Sequence, residues 1–200
     1  MQINHLIFDA DGVLVDSKKI AWQNAYKIIS LFYSVEPFKN YSEFKKHFGR
    51  EAQIKLVGKD ESEILRAMHR LLMRHNSSDI RCFDSVLDII SQIHIKKSLV
   101  TSAISSGIKN ILGENQYLFN QIIGRDHNSK INALKDLYSS KAMYVTDSCR
   151  DINVCHEIGL VVTGVGWGYD EIIDIDNCKP DYFTETPKDL LKLFKNLKLV

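Results

Sequence analysis

A short apolar run, Ile3 to Phe8, leads straight into Asp9-Ala10-Asp11-Gly12, and this junction constrains the chain more than any other stretch. The run reads as a strand buried on both faces, the kind found inside a parallel sheet. In open α/β sheets, ligands bind beyond the carboxyl ends of the strands. Asp9 and Asp11 fall at that end, and Gly12 can take backbone shapes closed to other residues. Alone, the tetrapeptide reads better as a plain polar turn. The rest of the chain has to decide.

Two hundred residues suit one domain, or one domain carrying a modest insertion. With 44% apolar residues, 26% charged residues and a net charge of +1, the composition is that of a soluble globular protein. No nucleic-acid or membrane partner is expected from that charge. No apolar run approaches the roughly 18 residues of a membrane span. The N-terminus lacks the basic and apolar regions of a signal peptide, so the expected location is cytoplasmic. Cys82, Cys149, Cys155 and Cys178 are scattered without a Cys-x-x-Cys pair and are expected to be reduced thiols. The histidines are dispersed, none in a metal-ligand spacing.

After the N-cap candidates Asp16 and Ser17, Trp22, Ala25, Tyr26, Ile29 and Phe32 recur at helical spacing. Short helices are expected over 41–48 and 54–57. Asp60 and Glu63 resemble a capping box ahead of a stripe of Ile64, Leu65, Met68, Leu71 and Leu72. From residue 84 the pattern changes. Helices led by Asp84 and Ser129 alternate with strands at 97–100, 121–124, 142–145 and 160–165, and Thr186-Pro187 opens a last helix. Alternation of this kind predicts βαβ units and a parallel, doubly wound α/β sheet. The expected division is a core of residues 1–16 and 81–200, with a helical insertion over 17–80.

Polar residues recur at three strand ends: Asp9 and Asp11, Thr101 and Ser102, then Asp147 with Asp151 four residues on. Lys130 opens an intervening helix. A parallel sheet brings these ends to one edge. Carboxylates gathered there repel one another unless a cation neutralises them. Oxygen donors with room for water and phosphate suit Mg2+. Taken singly, Asp151 reads equally as a helix cap, while Thr101 and Lys130 read as ordinary strand-end and surface residues. Taken jointly and in this order, the site reading is favoured.

The order and spacing resemble the haloacid dehalogenase superfamily, in its phosphatase branch with a helical cap inserted after the first strand. The motifs are residues 9–17, Thr101-Ser102, Lys130 and Thr146-Asp147-Ser148-Cys149-Arg150-Asp151; residues 164–169 and 179–183 match the end of the branch. The resemblance covers nearly the whole chain. It implies a Rossmann-like fold and a phosphatase that forms an aspartyl-phosphate on Asp9, with Asp11 as general acid and base. It implies that Thr101, Ser102 and Lys130 hold the phosphoryl group, and that Asp9, Asp11 (through its carbonyl), Asp147 and Asp151 serve Mg2+. An aspartate at position 11 favours phosphate chemistry over dehalogenation.

Three positions depart from the family pattern: Thr146 where glycine is frequent, Ile131-Asn132 where a proline follows the lysine, and Phe83-Asp84 where Pro-Gly is frequent. None removes a reactive group. Arg50, after Gly49 in the cap, either pairs with a second anionic group of the substrate or is a surface arginine. The expected partner is a small phosphorylated metabolite. The alternatives are a sugar phosphomutase, phosphonate cleavage through a cap lysine (Lys45, Lys46 or Lys55), or a catalytically idle binding protein on the same fold. Neither the substrate nor the oligomeric state follows from the sequence.

Overall fold

In the computed structural model, which describes residues 2–32, 54, 55 and 57–200, the strand β1 (His5–Phe8) is buried along its whole length. It forms the centre of a six-stranded sheet with β4 (Lys96–Val100), β5 (Gln121–Ile123), β6 (Ala142–Thr146), β7 (Val161–Val165) and β8 (Tyr182–Thr184), in the order β5-β4-β1-β6-β7-β8. Every pairing in this sheet is parallel. Ile7 lies opposite Ser98 on one side and Tyr144 on the other. The chain builds outward from β1 in one direction and then returns to build in the other. The crevice beside the C-terminal end of β1 is therefore the topological switch point of a doubly wound sheet.

The chain divides into two compact units, Met1–Asp16 with Arg81–Val200, and Ser17–Ile80. The first unit leaves and resumes through a two-stranded antiparallel ribbon, β2 (Val15–Asp16) on β3 (Arg81–Cys82), with Val15 opposite Cys82. In this unit the sheet carries α3 (Asp84–Ser91), α4 (Ser105–Leu112), α5 (Lys130–Leu137), α6 (Cys149–Ile158), α7 (Ile172–Asn177) and α8 (Pro187–Asn196). One core cluster joins Ile7, Leu134, Tyr144, Ile152, Cys155 and Val162, all buried. Phe8 is fully buried and meets Phe119 and Phe194 edge to face at 6.1 and 6.4 Å. Side chains hidden this completely each contribute on the order of 1.5–3 kcal/mol. The caps follow local chemistry. The Ser129 hydroxyl accepts from Asn132 N–H, the Thr186 hydroxyl accepts from Asp189 N–H ahead of Pro187, and Gly159 ends α6 in the left-handed region at φ 71°.

The second unit pairs α1 (Lys18–Phe32) with α2 (Lys59–His75). Their buried faces match the sequence expectation only in part, with Ala25, Ile29 and Leu65 buried as expected. α1 buries Ala21, Asn24, Ala25, Ile28 and Ile29, while Phe32 is 57% exposed. α2 buries Ser62 and Leu65, while Ile64 and Leu71 are exposed. Polar contacts join the two helices: Asn76 Nδ2 donates to Asn24 Oδ1 (2.9 Å), and His69 Nε2 lies 2.8 Å from the Ala21 carbonyl. The expected capping box is absent too, because Gly58 is the N-cap of α2 and Asp60 falls inside the first turn. The expected helix over 41–48 lies outside the described residues.

The cysteine expectation also fails for one pair. Cys149 and Cys178 form a disulfide with Cα atoms 5.7 Å apart, while Cys82 and Cys155 are free. No Cys-x-x-Cys spacing announces the pair, because it is the return of the chain through β7 and α7 that brings Cys178 back to the start of α6.

Candidate active site

The ends of β1, β4 and β6 carry the residues singled out in the sequence. Asp9 follows β1 directly, and its backbone N–H donates to Val145 O of the neighbouring strand (2.9 Å). Its side chain is buried, with Oδ1 accepting from Ala10 N–H (2.7 Å) and Oδ2 from Lys130 Nζ (2.6 Å). Lys130, the first residue of α5, also donates to Asp151 Oδ2 at 2.5 Å. Its ammonium therefore bridges Asp9 and Asp151, and lies 5.8 Å from the centroid of the Tyr144 ring.

Asp147 is buried at the end of β6, with Oδ2 accepting from Tyr169 N–H (2.6 Å). Two glycines make room for it: a Cβ on Gly12 or Gly168 would overlap the Asp147 side chain. Gly12 also sits at φ +76°, so its conformation and its bareness are both required. Asp11 is half-buried in the turn that Gly12 closes by donating its N–H to Val15 O (2.9 Å). Thr101 is buried at the end of β4 and its hydroxyl oxygen accepts from Ala103 N–H (3.0 Å); Ser102 beside it is exposed. Arg50, Lys45 and Lys46 lie outside the described residues. Lys55 belongs to the second unit and carries an exposed side chain.

Three residues of the site were given no role from the sequence. Tyr144 and Thr146 alternate along one face of β6, and their hydroxyls both donate to Asp151 Oδ2 at 3.4 Å. Thr146, one of the departures from the family pattern, thus adds a donor where glycine has none. Asp170 is buried and accepts from Cys149 N–H at 2.9 Å, next to the Tyr169 amide that holds Asp147. An acidic residue directly after the glycine-rich run 164–169, on the same sheet edge, was the available signal for it.

Charge at this edge is unbalanced. Burial pushes the Asp9 carboxyl up to about 8; Lys130 opposes that shift, and Asp151 and Asp147 add to it. Burial likewise raises Asp147 to about 7, against the Tyr169 amide and Lys130 and with Asp170. Burial acts to lower the Lys130 ammonium, but Asp9 and Asp151 outweigh it and the net direction is upward. Burial also holds Tyr144 well above the ordinary phenol range, so it remains a donor. One ammonium cannot balance three neighbouring buried carboxylates, so a further cation is called for. Among the described residues no three acidic, histidine or cysteine side chains converge tightly enough to hold an ion unaided. The donors on offer are hard oxygens. They fit an ion such as Mg2+, which takes few carboxylates and completes its shell with water and phosphate.

A family model for haloacid dehalogenase-like hydrolases matches residues 6–165, which span every one of these side chains except Asp170 and the 168–169 loop. The chain belongs to that family. A phosphoglycolate phosphatase of Synechococcus elongatus is 26% identical over 210 residues, covering 96% of this chain and 97% of the relative. Two solved structures share the fold. A predicted phosphatase from Clostridium acetobutylicum superposes with a TM-score of 0.82 at 20% identity, covering 98% of this chain and 100% of the other. A haloacid dehalogenase-like hydrolase of Streptococcus pneumoniae gives 0.77 at 21%, covering 96% and 98%.

Proposed function

We propose that this haloacid dehalogenase-like hydrolase is a Mg2+-dependent phosphatase that hydrolyses a small phosphorylated metabolite through an aspartyl-phosphate on Asp9. The observation that carries the reading is the buried Asp9–Lys130–Asp151 bridge at the end of β1, beside a cradled Asp147. A carboxylate oxygen of Asp9 attacks phosphorus, the bond from phosphorus to the ester oxygen breaks, and Asp11 protonates that oxygen as it leaves. Asp11 then takes a proton from water, the resulting hydroxide attacks phosphorus, and Asp9 is released with inorganic phosphate. Thr101 and the Ser102 amide hold the phosphoryl oxygens, and Lys130 offsets the negative charge on nucleophile and phosphate. Asp9, Asp147 and the Asp11 carbonyl would hold Mg2+, with Asp151 in support. When bound, the ion supplies charge neutralisation and orients the phosphate.

Residues 17–80 serve as the cap in this reading, and Arg50 as a contact to a second anionic group. The relative named phosphoglycolate phosphatase makes 2-phosphoglycolate the first substrate to try. No helix among the described residues is long and apolar enough to cross a membrane. The reading places the enzyme in the cytoplasm, where the Cys149–Cys178 bond is exposed to reduction by glutathione. The test is a panel of phosphorylated metabolites incubated with protein stripped by EDTA and then given Mg2+. Hydrolysis that disappears with EDTA and returns with Mg2+ is expected. Hydrolysis of no member of the panel would overturn the proposal, and turnover only with a bisphosphorylated activator would reassign the enzyme as a mutase.

A further inference from the structure

We infer that Asp126, a residue outside every motif discussed above, is the positioning residue of the loop that binds the phosphoryl oxygens. The inference rests on the phosphatase reading of Thr101 and Ser102. That loop leaves β4 at Thr101 and enters α4 at Ser105, whose N-cap residue, Ile104, offers no side-chain acceptor. The start of the helix is satisfied from another segment instead. Asp126, three residues beyond β5, reaches across: its Oδ1 accepts from Ser105 N–H at 2.8 Å and its Oδ2 from the Ser105 hydroxyl at 2.6 Å. Both distances lie in the range of strong, charge-assisted hydrogen bonds.

Three further bonds tie the same two segments or close the loop between them. Thr101 N–H donates to Ile123 O (3.0 Å), Arg125 N–H donates to Ala103 O (3.0 Å), and Ala103 N–H donates to the Thr101 hydroxyl oxygen (3.0 Å). The two backbones run so close that a Cβ on Gly124 would overlap Ser105 N, Asp126 Oδ1 and Ala103 O. Residues 101–105 are thus held at both ends from the β5 side, at Thr101 by backbone and at Ser105 by a carboxylate. The two Ser105 bonds hold the Asp126 carboxyl down at about 2. A negative charge at the first turn of α4 also complements the helix dipole. His127 lies 3.4 Å from the same carboxylate on the exposed side, where an ion pair adds little.

Asp126 touches no reacting atom in this account. It fixes where the Thr101 hydroxyl and the Ser102 amide lie, and misplacing such groups by a fraction of an ångström weakens oxyanion binding before it weakens anything else. The test compares wild type with Asp126→Ala, Asp126→Asn, Ser105→Ala and Thr101→Ala. The readouts are kcat and KM for p-nitrophenyl phosphate, inhibition by tungstate (an unreactive tetrahedral oxyanion), and the Mg2+ concentration for half activation. Asp126→Ala is expected to raise KM and weaken tungstate inhibition by roughly ten- to a hundredfold. Half activation by Mg2+ should stay at the wild-type concentration. Asp126→Asn keeps one acceptor and Ser105→Ala one bond, so both should fall between; the Asn variant also covers the case in which the Ala variant fails to fold. Wild-type tungstate inhibition in folded Asp126→Ala or Asp126→Asn, with inhibition weakened in Thr101→Ala, would overturn the inference and leave the phosphatase reading standing. Tungstate and Mg2+ affinities falling together would mean a merely structural role. Unchanged inhibition in Thr101→Ala would remove the phosphate loop from this place and take both readings down.

Discussion

Lys130 stands between Asp9 and Asp151 with its ammonium committed to both, and two predictions belong at the scale of single residues. Lys130→Met would leave buried carboxylates without their ammonium. We expect phosphatase activity to drop about a hundredfold or more. Thermal stabilisation by Mg2+ should also be larger in the variant than in wild type; equal stabilisation would show that the lysine does not share the charge load. The second prediction concerns His5 at the opposite end of β1, buried with Nε2 2.8 Å from the Ser98 hydroxyl; that hydroxyl accepts from Gln121 Nε2 at 3.0 Å. Burial, helped by the Lys96 charge, pushes this imidazole down to about 4. A depressed histidine stabilises the fold above its unfolded value of 6.5, and that contribution is lost as pH falls toward 4. At roughly 1.4 kcal/mol per pH unit, the loss reaches about 2 kcal/mol by pH 5. Denaturant unfolding at pH 7 and pH 5 should show it in wild type and show less of it in His5→Gln. Asp9, Lys130 and Asp151 stand out in the sequence because chemistry fixes their type and spacing. Tyr144 and Thr146 do not, since strand alternation tells which face a residue takes and not which group waits there.

At the scale of elements, the strands were the legible part. β1 and β6 are short apolar runs leading into polar residues, the pattern a parallel sheet buried on both faces demands, whereas the short β2, β3 and β8 carry no such run and were not expected. The helices α1 and α2 were legible as helices and only in part in the face they bury: Ala25, Ile29 and Leu65 of the expected stripes are buried, but polar side chains such as Asn24 and Ser62 are buried with them. Hydrophobic periodicity carries no signal for those. The Cys149–Cys178 bond was illegible for a different reason: its partners are 29 residues apart, and the fold alone joins them. Closing a loop of that length removes conformational freedom from the unfolded chain and is worth about 3–4 kcal/mol. Urea unfolding without reductant should therefore find Cys178→Ser less stable than wild type by that order, with the difference vanishing once both are fully reduced. A difference that persists under reduction would assign the effect to packing.

For the molecule as a whole, the chain divides into two compact units, Met1–Asp16 with Arg81–Val200, and Ser17–Ile80. Residues 17–80 hold helical spacing without a convincing strand, and the division at Asp16 and Arg81 falls where the antiparallel ribbon β2–β3 lets the chain leave and return side by side. The need for a cation among carboxylates gathered at this edge was legible in the sequence; what the pattern could not provide was that one ammonium, Lys130, bridges two of them, Asp9 and Asp151. On the proposed reading, the carboxylate this edge presents on Asp9 is the nucleophile. The most direct measurement is Mg2+-dependent hydrolysis of p-nitrophenyl phosphate by wild type and by Asp9→Asn, which keeps the side-chain shape and removes the attacking group. The account predicts a loss of about a thousandfold or more in kcat, in a variant that still unfolds as cooperatively as wild type. Hydrolysis at the wild-type rate by Asp9→Asn would contradict it.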